Sequence, residues 1–391
     1  MGDVVIIGAK RTAIGSMLGQ FTGVPTPQLG ATAIKAALEH AQVSADAVDE
    51  VIMGCVLPAG LGQAPARQAS LGAGIPNKAG CTTVNKVCGS GMKAVMLAHD
   101  IIKAGSAGIV VAGGMESMTN APHLLNGSRT GIRYGTAEFL DHMAWDGLTN
   151  PYDGKAMGVF GDATCAKYNV DREALDTYST ESVQLAQAAI ANGAFKAEIA
   201  PVTVSTRKGD VIVDTDEEPG KIDTGKIPGM RPAFGKEGTL TAASSSKISD
   251  GAAALVVASR EAAEKAGAPV LATVVAHATN SLAPDQFTVA PVGAIQQVLE
   301  KAGWKAEDVD LFEINEAFSV VAMLPMQEMH IPREKINVNG GAVALGHPIG
   351  CSGARLLVTL IHALQARGLK RGVASLCIGG GEATAVAIQI A

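Results

Sequence analysis

The sequence predicts an α/β protein made by internal duplication: two halves of helix-covered sheet, with a loop-rich segment inserted into the first. The first observation behind this is a repeat. Residues 30–52 and 292–313 match without a gap, so that Leu38-Glu39 falls on Leu299-Glu300, Ala41 on Ala302 and Val48-Asp49 on Val309-Asp310. After a one-residue insertion Ser90-Gly91 falls on Ser352-Gly353, and further on Val110-Val111-Ala112-Gly113-Gly114 resembles Leu376-Cys377-Ile378-Gly379-Gly380. The second observation is that each copy reads strand, helix, strand, helix, strand, with buried strands written as short continuous apolar runs. The third is the middle of the chain, about 118–248, which is rich in Gly, Asp, Thr and Met and breaks that rhythm.

Taken in order, Asp3-Val4-Val5-Ile6-Ile7-Gly8 has no basic stretch before its apolar run, so the chain's start, from Met1, reads as a first strand and not as a signal peptide. Met92, Val95, Met96 and Ile102 mark the apolar face of a helix that Gly105 stops. Ile109-Val110-Val111 is a buried strand. Within the middle segment, turns such as Asn150-Pro151 and Pro228-Gly229 surround one strong helix over about 171–192, ended by Gly193. Ala253–Val257 returns to strand. Ala354, Leu357, Leu360, Ile361 and Leu364 form a helix face before Gly368. The expected division is 1–117 with 249–269 as the first half, 118–248 as the insertion, and 270–391 as the second half.

At 391 residues the chain has room for two or three domains with large cores. Apolar residues reach 47%, charged residues 17%, and mean hydropathy is +0.23, the profile of a well-buried soluble protein. A net charge of −6 gives no nucleic-acid surface, and the apolar runs are too short for a bilayer span. The six cysteines have no CxxC spacing and are too sparse for a disulfide scaffold or a zinc motif, so a reducing cytoplasm is the default expectation.

Cys88 lies where an apolar stretch turns into a helix, in Val87-Cys88-Gly89-Ser90-Gly91. Backbone N–H groups and the helix dipole favour a thiolate there, and a thiolate is a nucleophile; the other reading is a buried structural cysteine. His347, in Leu345-Gly346-His347-Pro348-Ile349-Gly350, is aimed by a constrained loop, although a lone histidine is as well explained by packing. Cys377 alone would default to core, but its run Cys377-Ile378-Gly379-Gly380-Gly381 could set backbone N–H groups around an oxyanion. Asn315-Glu316-Ala317-Phe318 follows Leu311–Ile314 directly, placing polar groups at a strand end, where open sheets bind ligands. No G-x-G-x-x-G opens a helix near the N-terminus, so a dinucleotide fold is a poor reading.

These stretches, Val87–Ala94, Asn315–Phe318, Gly340–Gly350 and Cys377–Gly381, resemble in content and order the four signature blocks of thiolases, and the resemblance runs from Arg11-Thr12-Ala13-Ile14-Gly15 to the end of the chain. Arg231-Pro232-Ala233-Phe234 and Ser249-Asp250-Gly251-Ala252-Ala253 are similar to the biosynthetic, acetoacetyl-CoA branch. The resemblance implies a thiolase-like α/β/α/β/α layered fold and reversible condensation of two acetyl-CoA. In it Cys88 would carry the acyl group, His347 would take the Cys88 proton, and Cys377 would exchange the α-proton of the second substrate. Asn315, through water, and His347 would form one oxyanion site, and the N–H groups of Cys88 and Gly379 the other. Coenzyme A would be substrate and product, with no metal or redox cofactor, and the assembly a homotetramer built from dimers.

The same resemblance assigns CoA contacts to Leu148, Met157, Phe234, Ala242, Ser246, Ala317 and Phe318. The chain also departs from the family: Lys247 replaces a glycine near the CoA path, Ala156 a histidine, Phe287 a methionine lining the acyl pocket, and Glu382 a Met or Gln. Beside acetyl-CoA acetyltransferase stand a degradative 3-ketoacyl-CoA thiolase of wider chain range, a decarboxylating ketosynthase and a catalytically silent scaffold subunit.

Overall fold

The computed structural model describes residues 2–391, so Met1 lies outside it. The first half runs β1 (Val4–Thr12), α1 (Thr26–Ala41), β2 (Glu50–Gly54), α2 (Pro65–Gly72), β3 (Gly80–Val84), α3 (Ser90–Lys103) and β4 (Ile109–Ser117). The following segment carries α4 (Met157–Lys167) and α5 (Arg172–Ala191), after which β5 (Ser249–Ser259) and α6 (Arg260–Ala266) return to the first half. The second half runs β6 (Ala272–Ser281), α7 (Ala290–Ala302), β7 (Leu311–Ile314), α8 (Ser319–Met329), α9 (Ala342–Leu345), α10 (Ser352–Arg367), β8 (Arg371–Ile378) and β9 (Glu382–Ile390).

The nine strands lie in the order β7-β8-β9-β6-β1-β5-β4-β2-β3, with the short strands Gly15–Ser16 and Ile199–Ala200 added at the side. The two halves repeat one pattern. In the first, β2 is parallel to β3 and β4, while β5 pairs antiparallel with both β4 and β1. In the second, β7 is parallel to β8, while β9 pairs antiparallel with both β8 and β6. A single parallel bridge from Ile336 to Phe312 stands where the first half has β3. Two antiparallel pairs, Val5 with Thr273 and Ile6 with Ala272, join the halves.

Helices α3 and α10 fill the space between the halves in one core: Val95, Met96, Leu357, Leu360 and Ile361 pack with Leu255 and Leu376. Each such buried Leu or Ile contributes about 1.5–3 kcal/mol. Residues of α1 and α2 cover the outer face of the first sheet and those of α7 the outer face of the second, completing the α/β/α/β/α layering that the resemblance implies. Close approach requires two glycines. A Cβ at Gly91 would sit 2.9 Å from Ala354 N, and one at Gly353 would sit 2.4 Å from Met92 N, so each helix start touches the backbone of the other.

Sequence and structure agree on both helix faces and on their stops; Gly368 ends α10 with φ +66°. Helix α5 covers the long helix expected in the middle segment, capped by Asp171, whose carboxylate accepts Ala174 N–H at 2.8 Å. One expectation is overturned. Val110–Gly114 does not correspond to Leu376–Gly380. The Asp49 carboxylate accepts the N–H groups of Gly108 and Ile109, and the Asp310 carboxylate accepts those of Lys370 and Arg371. Val51 pairs with Val111 as its counterpart Phe312 pairs with Val373. The one-residue insertion therefore holds through the strand, and Cys377 corresponds to Met115. Glycine pairs recur often enough to make a false register, whereas the Asp contacts fix the true one.

The middle segment is pinned to β1 by a buried charge network. Arg11, fully buried, pairs with Glu198 at 2.6 Å and Asp216 at 2.7 Å, both from that segment. Removing one partner of such a network leaves an uncompensated buried charge, at a cost of about 3–5 kcal/mol.

Candidate active site

Four separate stretches deliver the candidate reactive groups. Cys88 sits in a tight turn that enters α3. Val87 has φ +47°; the Asn85 carboxamide oxygen accepts Val87 N–H at 2.8 Å, and the Ser90 hydroxyl donates to Val87 O at 2.6 Å. The helix itself starts at Ser90. The N–H of Gly379 and that of Cys88 itself point to the Cys88 sulfur. Burial outweighs them and pushes the thiol up to about 11. The expected helix-start thiolate is thus a neutral thiol at rest, because loss of water around the sulfur costs the anion more than the nearby N–H groups return.

His347 is buried, and its backbone N–H donates to Lys247 O at 3.0 Å. Its Nδ1 lies 2.5 Å from Ser352 Oγ, and that hydroxyl donates to Pro348 O at 3.0 Å. Ser352 must therefore accept from Nδ1–H, which leaves the lone pair on Nε2. Asn315 Nδ2 stands 3.4 Å from Nε2. Burial, and then the charge of Arg355, hold the His347 ring down to about 3, so it is neutral and able to accept a proton.

Asn315 caps β7, its N–H donating to Ser375 O at 3.0 Å. Its side-chain oxygen is buried with no hydrogen-bond partner among the described residues, an open acceptor beside the His347 ring. Cys377 lies near the end of β8, paired with Ala383. Burial and then the neighbouring Cys88 push its thiol well above the ordinary range. It packs in one apolar cluster with Met157, Phe234, Phe287, Ala317 and Phe318. Leu148 packs instead with Cys88 and Ile349.

Six of the seven expected CoA contacts lie around this centre. Ser246 N–H donates to Ala317 O at 3.0 Å, Ser319 N–H to Ser244 O at 2.9 Å, and Met157 N–H to Leu148 O at 3.2 Å. Phe234 and Phe318 meet edge-on with centroids 5.7 Å apart. Ala242 stands apart and lines a cleft of about 200 Å³ with Lys221, Lys226, Met230, Lys247 and Val343. A larger cleft of about 600 Å³ between Glu181, Gln184, Arg333 and Arg367 holds none of the reactive groups.

Sequence reasoning missed four supporting residues. Glu116 takes N–H groups from Val56, Leu57 and Gly350, so it holds the His347 loop against the Cys55–Leu57 loop; burial lifts its carboxyl to about 7. Glu316 takes Tyr178 O–H, Ser182 O–H, Asn337 Nδ2 and Val343 N–H, fixing the other end of the same loop. Ser352 sets the His347 tautomer, and the repeated Ser90-Gly91 and Ser352-Gly353 was a signal for it. Lys86, two residues before Cys88, forms an ion pair with Glu382 just beyond the glycine run after Cys377, tying the two thiol segments together.

Residues 4–261 match the family model "Thiolase, N-terminal domain" and 268–390 match "Thiolase, C-terminal domain". The chain belongs to the thiolase family. Among curated relatives, the acetyl-CoA acetyltransferase of Cupriavidus necator is 49% identical over 393 residues, covering 100% of both chains. That of Escherichia coli K12 is 48% identical, covering 100% of this chain and 99% of its own. Two solved structures superpose along the whole chain: the Acat5 thiolase of Ascaris suum in complex with coenzyme A (TM-score 0.94, 41% identity, all of both chains) and the Bacillus anthracis acetyl-CoA acetyltransferase (TM-score 0.97, 39% identity, 100% of this chain and 99% of that one).

Proposed function

We propose that this chain is an acetyl-CoA C-acetyltransferase that condenses two acetyl-CoA to acetoacetyl-CoA and CoA, reversibly, through an acyl-enzyme on Cys88. The observations that support the reading are Asn315 against His347 Nε2, the Gly379 N–H at the Cys88 sulfur and Cys88 beside Cys377 at an apolar cluster, all drawn from distant stretches of chain. Cys88 Sγ attacks the thioester carbonyl as His347 Nε2 takes its proton. The CoA–carbonyl bond breaks, and CoA leaves with that proton. Because the thiol is neutral at rest and the imidazole is a weak base, proton transfer and attack are coupled. Cys377 then passes its own proton to the neutral His347 Nε2 and takes an α-proton of the second acetyl-CoA; the resulting carbon attacks the acetyl carbonyl, the acetyl–Cys88 bond breaks, and His347 returns its proton to the Cys88 sulfur. The N–H groups of Cys88 and Gly379 stabilise the oxyanion of the acyl-enzyme step. His347 Nε2–H, once it carries the Cys377 proton, and a water held by the open Asn315 acceptor donate to the thioester enolate.

Residues 118–248 are read as the unit that takes up coenzyme A, set on a first half of 1–117 with 249–269 and facing a second half of 270–391. Leu148, Met157, Phe234, Ala242, Ser246, Ala317 and Phe318 are its contacts. Lys247 is tethered by Ala242 O and Ser245 O, and burial lowers its amine to about 8. That tether stiffens the turn beside the CoA path, at a position where the family's glycine could not. Phe287, 3% exposed and 6.4 Å from Phe318 between ring centroids, narrows the acyl end and favours short substrates over the wider-range 3-ketoacyl-CoA reading.

A cytoplasmic homotetramer in short-chain acyl (fatty acid) metabolism is the setting proposed. Ile132, Tyr134 and Phe139 stand exposed in one surface stretch, and β3 is an edge strand, both features of a subunit contact. No described helix is long and apolar enough to cross a membrane. Thiolysis of acetoacetyl-CoA by the purified protein tests the activity: the expected result is turnover with acetoacetyl-CoA preferred to long-chain 3-ketoacyl-CoA. Preference for long chains would support the degradative reading, and absence of turnover the scaffold one. Light scattering is expected to give four chains, and a 39.7 kDa species alone would contradict the assembly.

A further inference from the structure

We propose that this chain carries a second binding site, remote from the thiols, in which His99, Asp100 and His277 hold a divalent first-row transition ion of the zinc kind. His99 and Asp100 lie in the last turns of α3, and His277 lies in the middle of β6, in the opposite half. Asp100 Oδ1 stands 3.0 Å from His99 Nδ1 and 2.8 Å from His277 Nε2, and the three ligand atoms all fall within 4.8 Å of one another. The two rings meet edge-on, 84° between planes and 4.9 Å between centroids. Both nitrogens are thus aimed at one point beside one carboxylate oxygen.

An ion about 2.0–2.2 Å from each donor needs tetrahedral neighbours about 3.3 Å apart; the two nitrogen–carboxylate spacings of 3.0 and 2.8 Å come within a few tenths of an ångström of that, and the two nitrogens lie within 4.8 Å of each other. Two imidazoles and a carboxylate suit Zn²⁺, Co²⁺, Ni²⁺ or Cu²⁺; Mg²⁺ and Ca²⁺ ask for oxygen alone. The imidazoles are mostly covered, at 14% and 18% side-chain exposure, while the carboxylate is 52% exposed, which gives an entry path and room for water to complete the shell. The nearby Lys301 ammonium is turned to His277 O at 3.0 Å.

Without an ion, Asp100 accepts from both rings and clips α3 to β6. With one, the metal takes the place of those two ring protons, and each imidazole keeps its proton by shifting it to its other ring nitrogen. The ion would then fasten the far end of the helix that begins beside Cys88 to the first strand of the second half. The active-site thiols are a competing soft site, so the test uses protein whose cysteines have been blocked with iodoacetamide. Titration with Co²⁺ should give visible d–d absorption for one ion per chain, displaced by Zn²⁺, and Zn²⁺ should raise Tm by a few degrees. His277→Gln keeps an amide donor for Asp100 and so keeps the fold; it should weaken Co²⁺ binding at least tenfold and abolish the Tm rise, as should His99→Gln. Circular dichroism and thiolysis by the unblocked variants confirm folding. Equal Co²⁺ spectra and stoichiometry in wild type and His277→Gln, or no spectrum in blocked wild type at hundred-micromolar Co²⁺, would overturn the site and leave only the hydrogen-bonded clip.

Discussion

At the start of α3 the first half presents Cys88; at the matching point of α10 the second half presents Gly350, whose N–H is spent on Glu116. The same inequality recurs around the centre. His347 corresponds to Asn85, which braces its own turn and donates to Val56 O; Asn315 corresponds to Gly54, and Cys377 to Met115. The scaffold contacts, by contrast, are the same on both sides. Asp49 and Asp310 each tie a strand entry, Ser90 and Ser352 each donate to a carbonyl upstream, and Gly91 and Gly353 each admit the other helix. Duplication has kept what holds the layers together and let the matching strand ends and helix starts diverge. Chemistry that needs a nucleophile on one side and proton-handling groups on the other can be built only from such divergence.

The largest effect expected from that asymmetry is the separation of half-reactions. Cys377→Ala should still accept an acetyl group on Cys88 but lose about 10²–10⁴-fold in exchange of acetyl-CoA α-protons with deuterated water. Wild-type exchange in the variant would remove Cys377 as the base. Next comes the protonation state of Cys88. With its thiol near 11, the thiolate fraction in the free enzyme rises about tenfold with each unit of increasing pH up to that value. Iodoacetamide modification of Cys88 should therefore climb steeply from neutral to alkaline pH; a rate flat from pH 6 upward would mean a standing thiolate–imidazolium pair.

The scaffold side of the comparison predicts equality. Asp49→Ala and Asp310→Ala each strip an acceptor from two backbone N–H groups, and each should cost about 1–3 kcal/mol in urea unfolding. A cost confined to one half would show that the contacts are alike in geometry only. The smallest effect is specificity: Phe287→Ala should raise activity on longer 3-ketoacyl-CoA relative to acetoacetyl-CoA several-fold, and an unchanged chain-length profile would show that this ring does not set the limit.

Much of this was legible in the sequence because its signals are local. The helix faces of α3 and α10, Asn315 at a strand end, and the two cysteine stretches all announce themselves within a few residues. The register of β4 against β8 was misread because Gly-Gly pairs carry little positional information, while the Asp49 and Asp310 contacts that settle it are made to backbone, which no side-chain pattern records. Glu116 stayed invisible for the same reason: its hydrogen-bond partners are mostly N–H groups. The resting state of Cys88 was misjudged because a helix start is visible in sequence and desolvation is not. His99 and His277 are brought together only by the packing of α3 against the second half.

The central claim is that Cys88 alone carries the acyl group while the second half moves the protons. Mass spectrometry of peptides from protein mixed with acetyl-CoA tests it directly. Wild type and Cys377→Ala should both show a single acetyl group, on Cys88, and Cys88→Ser should show none. Acetylation at another cysteine, or its persistence in Cys88→Ser, would contradict the account.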